Sequence, residues 1–409
     1  MRVGVNYPWL DYGWDFGPAP PAWRRPGSDP RWFGEIDAHL RHLQDLGITI
    51  VRWFILADGL TYGSGPDAPQ PDARNTSSWH FDPPFPHDDL FRHFSELLDR
   101  FAAASRPGVS TIQLLPVLVD FHFCDAGAWP ISRPEPAAPG GIEPDRDWVK
   151  QGRAEAITDT AKRRRFLDRM LDPLLAATAA SPEVVFAWEV INEPEWVTSR
   201  WHPDGSTNHP VDEASMRAFL EESQGRIRAA GLTPTIGFAV IDTLRSTGIT
   251  AEINQFHHYP DGRRLLERHP FAPSAPGIVG EFATAATDVW PGLPATGQTV
   301  LNRLQLADAH GYPAALPWSF TATDRHTSWS AAVEGDIATF TQAERDRLAE
   351  LDAAKVLASA ARSTAGRPRR RGRCEATTRD GVACSRRASA GARYCWQHAN
   401  KPRRRRRHS

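Results

Sequence analysis

Three features of the sequence predict an α/β protein whose parallel strands close into a (β/α)8, or TIM, barrel with extended βα loops and a small, distinct module at the C-terminus. Short apolar β-type runs alternate with segments of helical periodicity, and eight such strand-and-helix units can be counted. Glycine and proline punctuate the ends of these units. Beyond about residue 360 the pattern stops and the chain turns Arg- and Cys-rich.

In chain order, Val3–Tyr7 reads as the first strand. Ile36, Leu40 and Leu43 recur at helical spacing, and Gly47 follows as a C-terminal cap. Residues 48–56 form an apolar second strand, 90–101 a helix and 110–121 the third strand. A helix over 163–180 is stopped by Pro182, and 184–191 is the fourth strand. A helix over 212–230 places Met216, Phe219, Leu220 and Ile227 on one side and ends at Gly231. Strands five, six and seven cover 235–241, 253–259 and 277–282. A helix over 299–309 leads to strand eight at 313–320, and Thr341-x-x-Glu344 reads as a capping box opening a final helix.

Strands separated by helices imply a parallel sheet with right-handed crossovers, and eight of them imply closure, with a doubly wound open sheet as the alternative. A plain barrel needs about 250 residues. The body, residues 1–360, is longer, which assigns 57–88, 123–160 and 321–340 to extra loops. Each is rich in Pro, Gly or Asp and follows a strand, so all three would wall a cleft at one end of the barrel.

Composition narrows the function. Of 409 residues, 41% are hydrophobic and 24% charged, enough for a sizeable core and incompatible with wholesale disorder. No apolar run approaches the roughly 18 residues of a membrane span, so no membrane role is expected. The first residues lack the features of a secretory signal, and a cytoplasmic location is expected. Residues 366–409 carry fourteen Arg and one Lys against Glu375 and Asp380, a net +13; the remaining chain has 33 basic and 47 acidic residues, a net −14. An acidic body thus carries a strongly basic tail. Fourteen of the fifteen Trp lie in the body, which suits either a core or stacking on sugars.

The most informative segment is Trp188-Glu189-Val190-Ile191-Asn192-Glu193-Pro194-Glu195-Trp196. An apolar strand runs into Asn-Glu-Pro, and the proline ends it, leaving Asn192 and Glu193 at its C-terminal mouth. Ile278-Val279-Gly280-Glu281-Phe282 likewise ends a buried strand on a carboxylate. Burying a carboxylate there is costly without a partner or a purpose. The 88 residues between the two glutamates correspond to about three βα units, so the acids come from strands four and seven, facing each other across the mouth.

With these motifs, residues 1–330 resemble the clan A glycoside hydrolases, most closely glycoside hydrolase family 5, a family of cellulase-like and mannanase-like enzymes. Further residues extend the resemblance over six strands in order: Val51-Arg52, Asp120-Phe121-His122, His257-His258-Tyr259 and Trp318. It implies a retaining glycosidase that cleaves β-glycosidic bonds of a β-glucan, a β-mannan or a derived oligosaccharide or glycoconjugate. Glu281 would be the nucleophile and Glu193 the acid/base, with no catalytic cofactor. Arg52 and Tyr259 would orient Glu281, and Asn192 would bind the sugar 2-hydroxyl. Trp318 would stack under the sugar, while His122 and His257 would hold hydroxyls or the acid network. Glu189 reads as a buried strand partner, Asp120 as a possible structural residue and His258 as pointing away. Trp9, Trp53 and Trp290 read as core, Trp196 equally as core or subsite, and Cys124 as a thiol without mechanistic weight. The same residues would also serve a transglycosidase.

The tail has its own logic. Cys374-x9-Cys384-x10-Cys395-x2-His398 supplies four ligands of the kind structural zinc prefers, in a segment too small to fold on a core of its own. A disulfide plus a spare thiol is the alternative. With Ala376, Thr378, Gly381 and Tyr394, the pattern resembles a short Cys-Cys-Cys-His tail module. The expected organisation is a barrel over 1–360, a basic linker over 361–373, a Cys3His zinc module over 374–398 and an Arg-rich disordered end over 399–409. Such a tail could contact a polyanion such as nucleic acid, so a non-catalytic adaptor is the rival from another functional class.

Overall fold

The computed structural model describes residues 1–10, 15–16, 33–57, 88–105, 111–124, 126–128, 149–151, 153–202, 207–259, 265–272, 274–322 and 324–365. Cys374, Cys384, Cys395 and His398, with most of the expected linker and the Arg-rich end, lie outside these residues. So does most of the expected loop at 57–88. Packing divides the chain into two units, Met1–Glu344 and Arg345–Ser409. The barrel belongs to the first.

Eight parallel strands form a closed barrel: β1 (Arg2–Asn6), β2 (Ile50–Phe54), β3 (Gln113–Asp120), β4 (Trp188–Asn192), β5 (Pro234–Phe238), β6 (Ile253–His258), β7 (Gly277–Ala283) and β8 (Ala314–Trp318). Each pairs with its sequence neighbour, and β8 closes on β1 through Arg2–Ala314 and Val3–Ala315. The open-sheet alternative is therefore set aside. Among the described residues, the helices longer than a single turn are α1 (Phe33–Asp45), α2 (Asp88–Ala104), α3 (residues 160–178, with a π-turn at Leu167–Leu171), α4 (Glu213–Ala229), α5 (Ile241–Thr247), α6 (Val300–Ala309) and α7 (Ala331–Ala365). Met216, Phe219, Leu220 and Ile227 of α4 are buried, and Asp212 caps the helix by accepting from the Ser215 amide.

The side chains of β2 show how the interior is layered. Alternate residues point inward. Ile50 joins Leu115, Ala187, Ile278, Ala314 and Leu316 in an apolar lower layer. Arg52 lies in a charged middle layer, and Phe54 joins Val117 and Trp318 near the mouth. Val51 and Trp53 face outward into the main core.

Two strands break this alternation. Between β4 and β5 the pairing steps from Glu189–Thr235 to Asn192–Gly237, three residues against two. Between β6 and β7 it steps from Phe256–Val279 to His257–Glu281, with the extra residue on β7. Such bulges re-aim side chains. They let Glu189 and Asn192, and likewise Ile278 and Glu281, share the interior despite odd spacing. Gly237 makes room for this: a Cβ there would sit 2.2 Å from the Glu189 carboxylate.

Five expectations are corrected. Strand three ends at Asp120, whose carboxylate accepts from the Phe121 amide and starts a 3-10 turn over Phe121–Phe123, so His122 leaves the strand. Strand five ends at Phe238, and Ile241 begins α5, closed by Gly248 at positive φ. The segment 321–340 is loop only as far as Ser330, where α7 begins. Thr341 therefore does not cap a helix: it lies inside α7 and its hydroxyl donates to the Leu46 and Ala338 carbonyls, while Glu344 binds the N-terminal amine. The linker expected from 361 is helical as far as Ala365.

Candidate active site

The C-terminal mouth of the barrel gathers Arg52, Asn192, Glu193, His257, Tyr259 and Glu281 into one hydrogen-bonded cluster. Arg52 is its hub. All five of its N–H donors are used. Nε and Nη2 grip the two Glu189 oxygens at 2.6 Å each, Nη1 reaches Asn6 Oδ1 at 2.8 Å and Glu281 Oε1 at 2.5 Å, and Nη2 also reaches Asn192 Oδ1 at 2.8 Å. The fully buried guanidinium is held charged, its pKa raised above the ordinary value because Glu189 and Glu281 outweigh its desolvation.

Glu281 Oε2 accepts from the Tyr259 hydroxyl at 2.9 Å. Burial, and then the Glu281 charge, keep that phenol protonated. Burial pushes Glu281 up to about 7; His257 and Arg52 pull it down, and Glu193 pushes it further up.

Glu193 has a left-handed backbone, φ 47° and ψ 54°, at the point where Pro194 turns the chain out of β4. A non-glycine residue there is strained, which is common where function sets the conformation. One oxygen, Oε1, meets His257 Nδ1 at 2.7 Å, and the other, Oε2, accepts from the Trp196 indole N–H at 2.7 Å. Burial, then the nearby Asp120 charge, push Glu193 up to about 7.

His257 is pushed down to about 4 by burial and is neutral near pH 7. Its Nε2 is buried without a hydrogen-bond partner among the described residues, so the ring proton is placed on Nδ1, which lies 2.7 Å from Glu193 and 3.6 Å from Glu281. Asn192 donates to Asp120 Oδ1 at 2.9 Å, so Asp120 fixes the amide as well as the turn.

Trp318 lies at the end of β8 against Trp9, Phe54 and Tyr259, its indole N–H on Asp324. His122 sits at the edge, its Nδ1 3.9 Å from Asp120 Oδ2. His258 faces away, edge-on to buried Trp290, and Trp53 is buried against Tyr7. Cys124 is buried.

Three parts of the cluster were not assigned a role from sequence: Asn6, Gln255 and Glu195. Gln255 donates to Glu189 at 2.7 Å, completing the layer beneath Arg52. Glu195 is fully buried, one oxygen accepting from the Val240 amide and the other without a partner; burial pushes it up to about 8. Only the alternating polar residues of β6 and the acid two places beyond Glu193 hinted at these.

Glu193, His257 and Glu281 each offer an atom within 4.8 Å of the others, a spacing that could hold a metal ion. Glu281 accepts from Arg52 and Tyr259 and Glu193 from Trp196, contacts that suit a pair of carboxyls exchanging a proton.

No family model matches the sequence, and no curated protein matches it. Solved structures do. The chain is similar to a β-1,4-D-mannanase from Cryptopygus antarcticus (TM-score 0.55, 17% identity, covering 83% of this chain and 89% of that one). It is also similar to the β-1,4-mannanase of the sea hare Aplysia kurodai (0.53, 18%, 83% and 91%) and the endo-1,4-β-mannanase of Eisenia fetida (0.53, 16%, 82% and 90%). At these identities the likeness establishes a shared (β/α)8 barrel.

Proposed function

We propose that this chain is a retaining β-glycoside hydrolase with Glu281 as nucleophile and Glu193 as acid/base. The observation that carries the reading is the pair of carboxylates at opposed strand ends with oxygens within 4.8 Å, only one of them clamped by a cation. An approach of one oxygen from each within 4.8 Å is compatible with a retaining pair, whose carboxyl groups stand about 5–5.5 Å apart.

The charges divide the labour. Arg52 and Tyr259 on Glu281 favour its carboxylate form, so the proton that burial imposes on the pair rests on Glu193. Glu281 attacks the anomeric carbon as Glu193 protonates the departing glycosidic oxygen. In the glycosyl-enzyme the Glu281 charge is gone. Glu193, now ionised, takes a proton from water, which attacks the anomeric carbon and frees Glu281. Asn192, held by Arg52 and Asp120, is placed to bind the sugar 2-hydroxyl, and Trp318 to stack beneath the ring.

The mannanase-like fold makes β-1,4-mannan and its oligosaccharides the first substrates to try, with glucosides, xylosides and cellobiosides beside them. Aryl β-glycosides report turnover directly. Glu281→Ala should abolish it, and azide should restore it as a glycosyl azide of inverted configuration. Full activity in Glu281→Ala would overturn the assignment. Product analysis with an added sugar acceptor separates hydrolysis from transglycosylation.

A further inference from the structure

We infer that Trp196 is a binding platform for the leaving-group sugar and that its indole N–H positions the acid/base carboxyl; the inference rests on the glycosidase reading above. Trp196 is 37% exposed, the one exposed Phe, Tyr or Trp ring among the residues whose side chains are described. A large aromatic face open to water beside a buried carboxyl cluster is a stacking surface in search of a ligand.

Its position selects which part of the substrate it meets. The Trp196 Nε1–H donates to Glu193 Oε2 at 2.7 Å, whereas Oε1 faces inward to His257. With Oε1 taken by His257, which also stands 3.6 Å from Glu281, Oε2 is the oxygen assigned to pass a proton to the glycosidic bond. A ring hydrogen-bonded to that oxygen lies on the leaving-group side, opposite the face attacked by Glu281.

The ring is also braced. Pro194–Trp196 is a 3-10 turn, so Trp196 follows Glu193 rigidly. His202 meets the indole edge-on at 5.2 Å and is itself stacked on His209 at 4.3 Å. The Ser199 hydroxyl donates to the Thr207 and His209 carbonyls, tying both sides of this loop together. Binding a sugar on such a surface orders little that is not already ordered. Trp196 acts through Glu193 and through the leaving group, so it is a positioning residue.

The test uses the full chain with Trp196→Ala and Trp196→Phe and three substrates of whichever sugar the wild type accepts. An oligosaccharide has a sugar leaving group that needs a proton. A 2,4-dinitrophenyl glycoside has an aromatic leaving group that needs none. A glycosyl fluoride has neither ring nor need of protonation. Trp196→Ala should lower kcat/KM roughly tenfold or more on the oligosaccharide and leave the fluoride within about twofold. Trp196→Phe keeps a ring but loses the N–H, so it should recover KM for the oligosaccharide while its kcat stays low; the dinitrophenyl glycoside should be spared in kcat/KM, which reports only the step that needs no proton. Equal losses in kcat/KM on all three substrates would make Trp196 a mere brace and overturn the inference, leaving the glycosidase reading intact. Wild-type inactivity toward every substrate, the fluoride included, would overturn both.

Discussion

The lower and middle layers of the barrel are built from the same strands, yet they solve opposite problems. Ile50, Leu115, Ile278 and Leu316 bury apolar surface and need nothing but close packing. One pleat higher, Arg52, Glu189 and Glu281 bury charge, and each must find partners. The comparison shows where stability is made and where it is given up. One guanidinium serves Glu189 and Glu281 directly and Glu193 at longer range, and Glu189 already takes two of its donors. The charge left over is too small for the rest, and burial raises both mouth glutamates, so that the pair keeps a proton up to about 7.

The largest effect should come from removing the carboxylates of the mouth. Glu281→Gln should cost on the order of 10^4-fold or more in kcat/KM, and Glu193→Gln about 10^2–10^4-fold on substrates that need a proton. Both variants should nevertheless be at least as stable as wild type at pH 8, where the native carboxylates are forced to ionise in a buried site. Denaturation midpoints beside kinetics check this. Loss of stability in parallel with activity would mean the glutamates hold the mouth together.

Next is the hub. Arg52→Met leaves Glu189 buried without its cation and should destabilise by about 3–5 kcal/mol. Arg52→Met combined with Glu189→Leu should recover much of that loss, because an apolar pair can replace a buried ion pair, but no activity should return. Recovery of activity would place the function of Arg52 elsewhere. Leu316→Ala in the lower layer should cost about 2–4 kcal/mol by opening a cavity, with kcat unchanged in the folded fraction. A fall in kcat there would show that the two layers are mechanically coupled.

The same contrast explains what could be read in advance. The lower layer follows period-two alternation, so eight strands in order and closure were legible. Both glutamates were legible too, because Asn-Glu-Pro and Gly-Glu-Phe terminate apolar strands. The bulges in β4 and β7 were not. They depend on pairing between strands far apart in the chain, and only they put Glu189 and Asn192 on one face. The Trp196–Glu193 contact depends on the left-handed backbone at Glu193, which no spacing rule announces. Residues such as Thr341 misled for a local reason: a capping pattern is short enough to occur inside a helix, where the hydroxyl bonds back to a carbonyl.

The smallest effect is also the sharpest probe of the charged layer. Among the described residues Glu195 has no positive partner, and its carboxyl is pushed up to about 8 by burial. Its folded-state pKa therefore lies above that of the unfolded chain, near 4.5. Such a group contributes its full stability below about pH 4.5 and loses it as pH rises toward 8, since the unfolded chain releases the proton first. Glu193 and Glu281 add the same trend up to about 7. Glu195→Gln keeps the shape and an acceptor for the Val240 amide but removes one titration. Wild type and variant should match at pH 5 and separate by pH 8.5, with the variant the more stable by on the order of a few kcal/mol. Denaturant midpoints at pH 5, 7 and 8.5 decide it. Parallel curves would show that Glu195 ionises freely in the native state, and the contrast between a comfortable lower layer and a proton-hungry mouth would then rest on Glu193 and Glu281 alone.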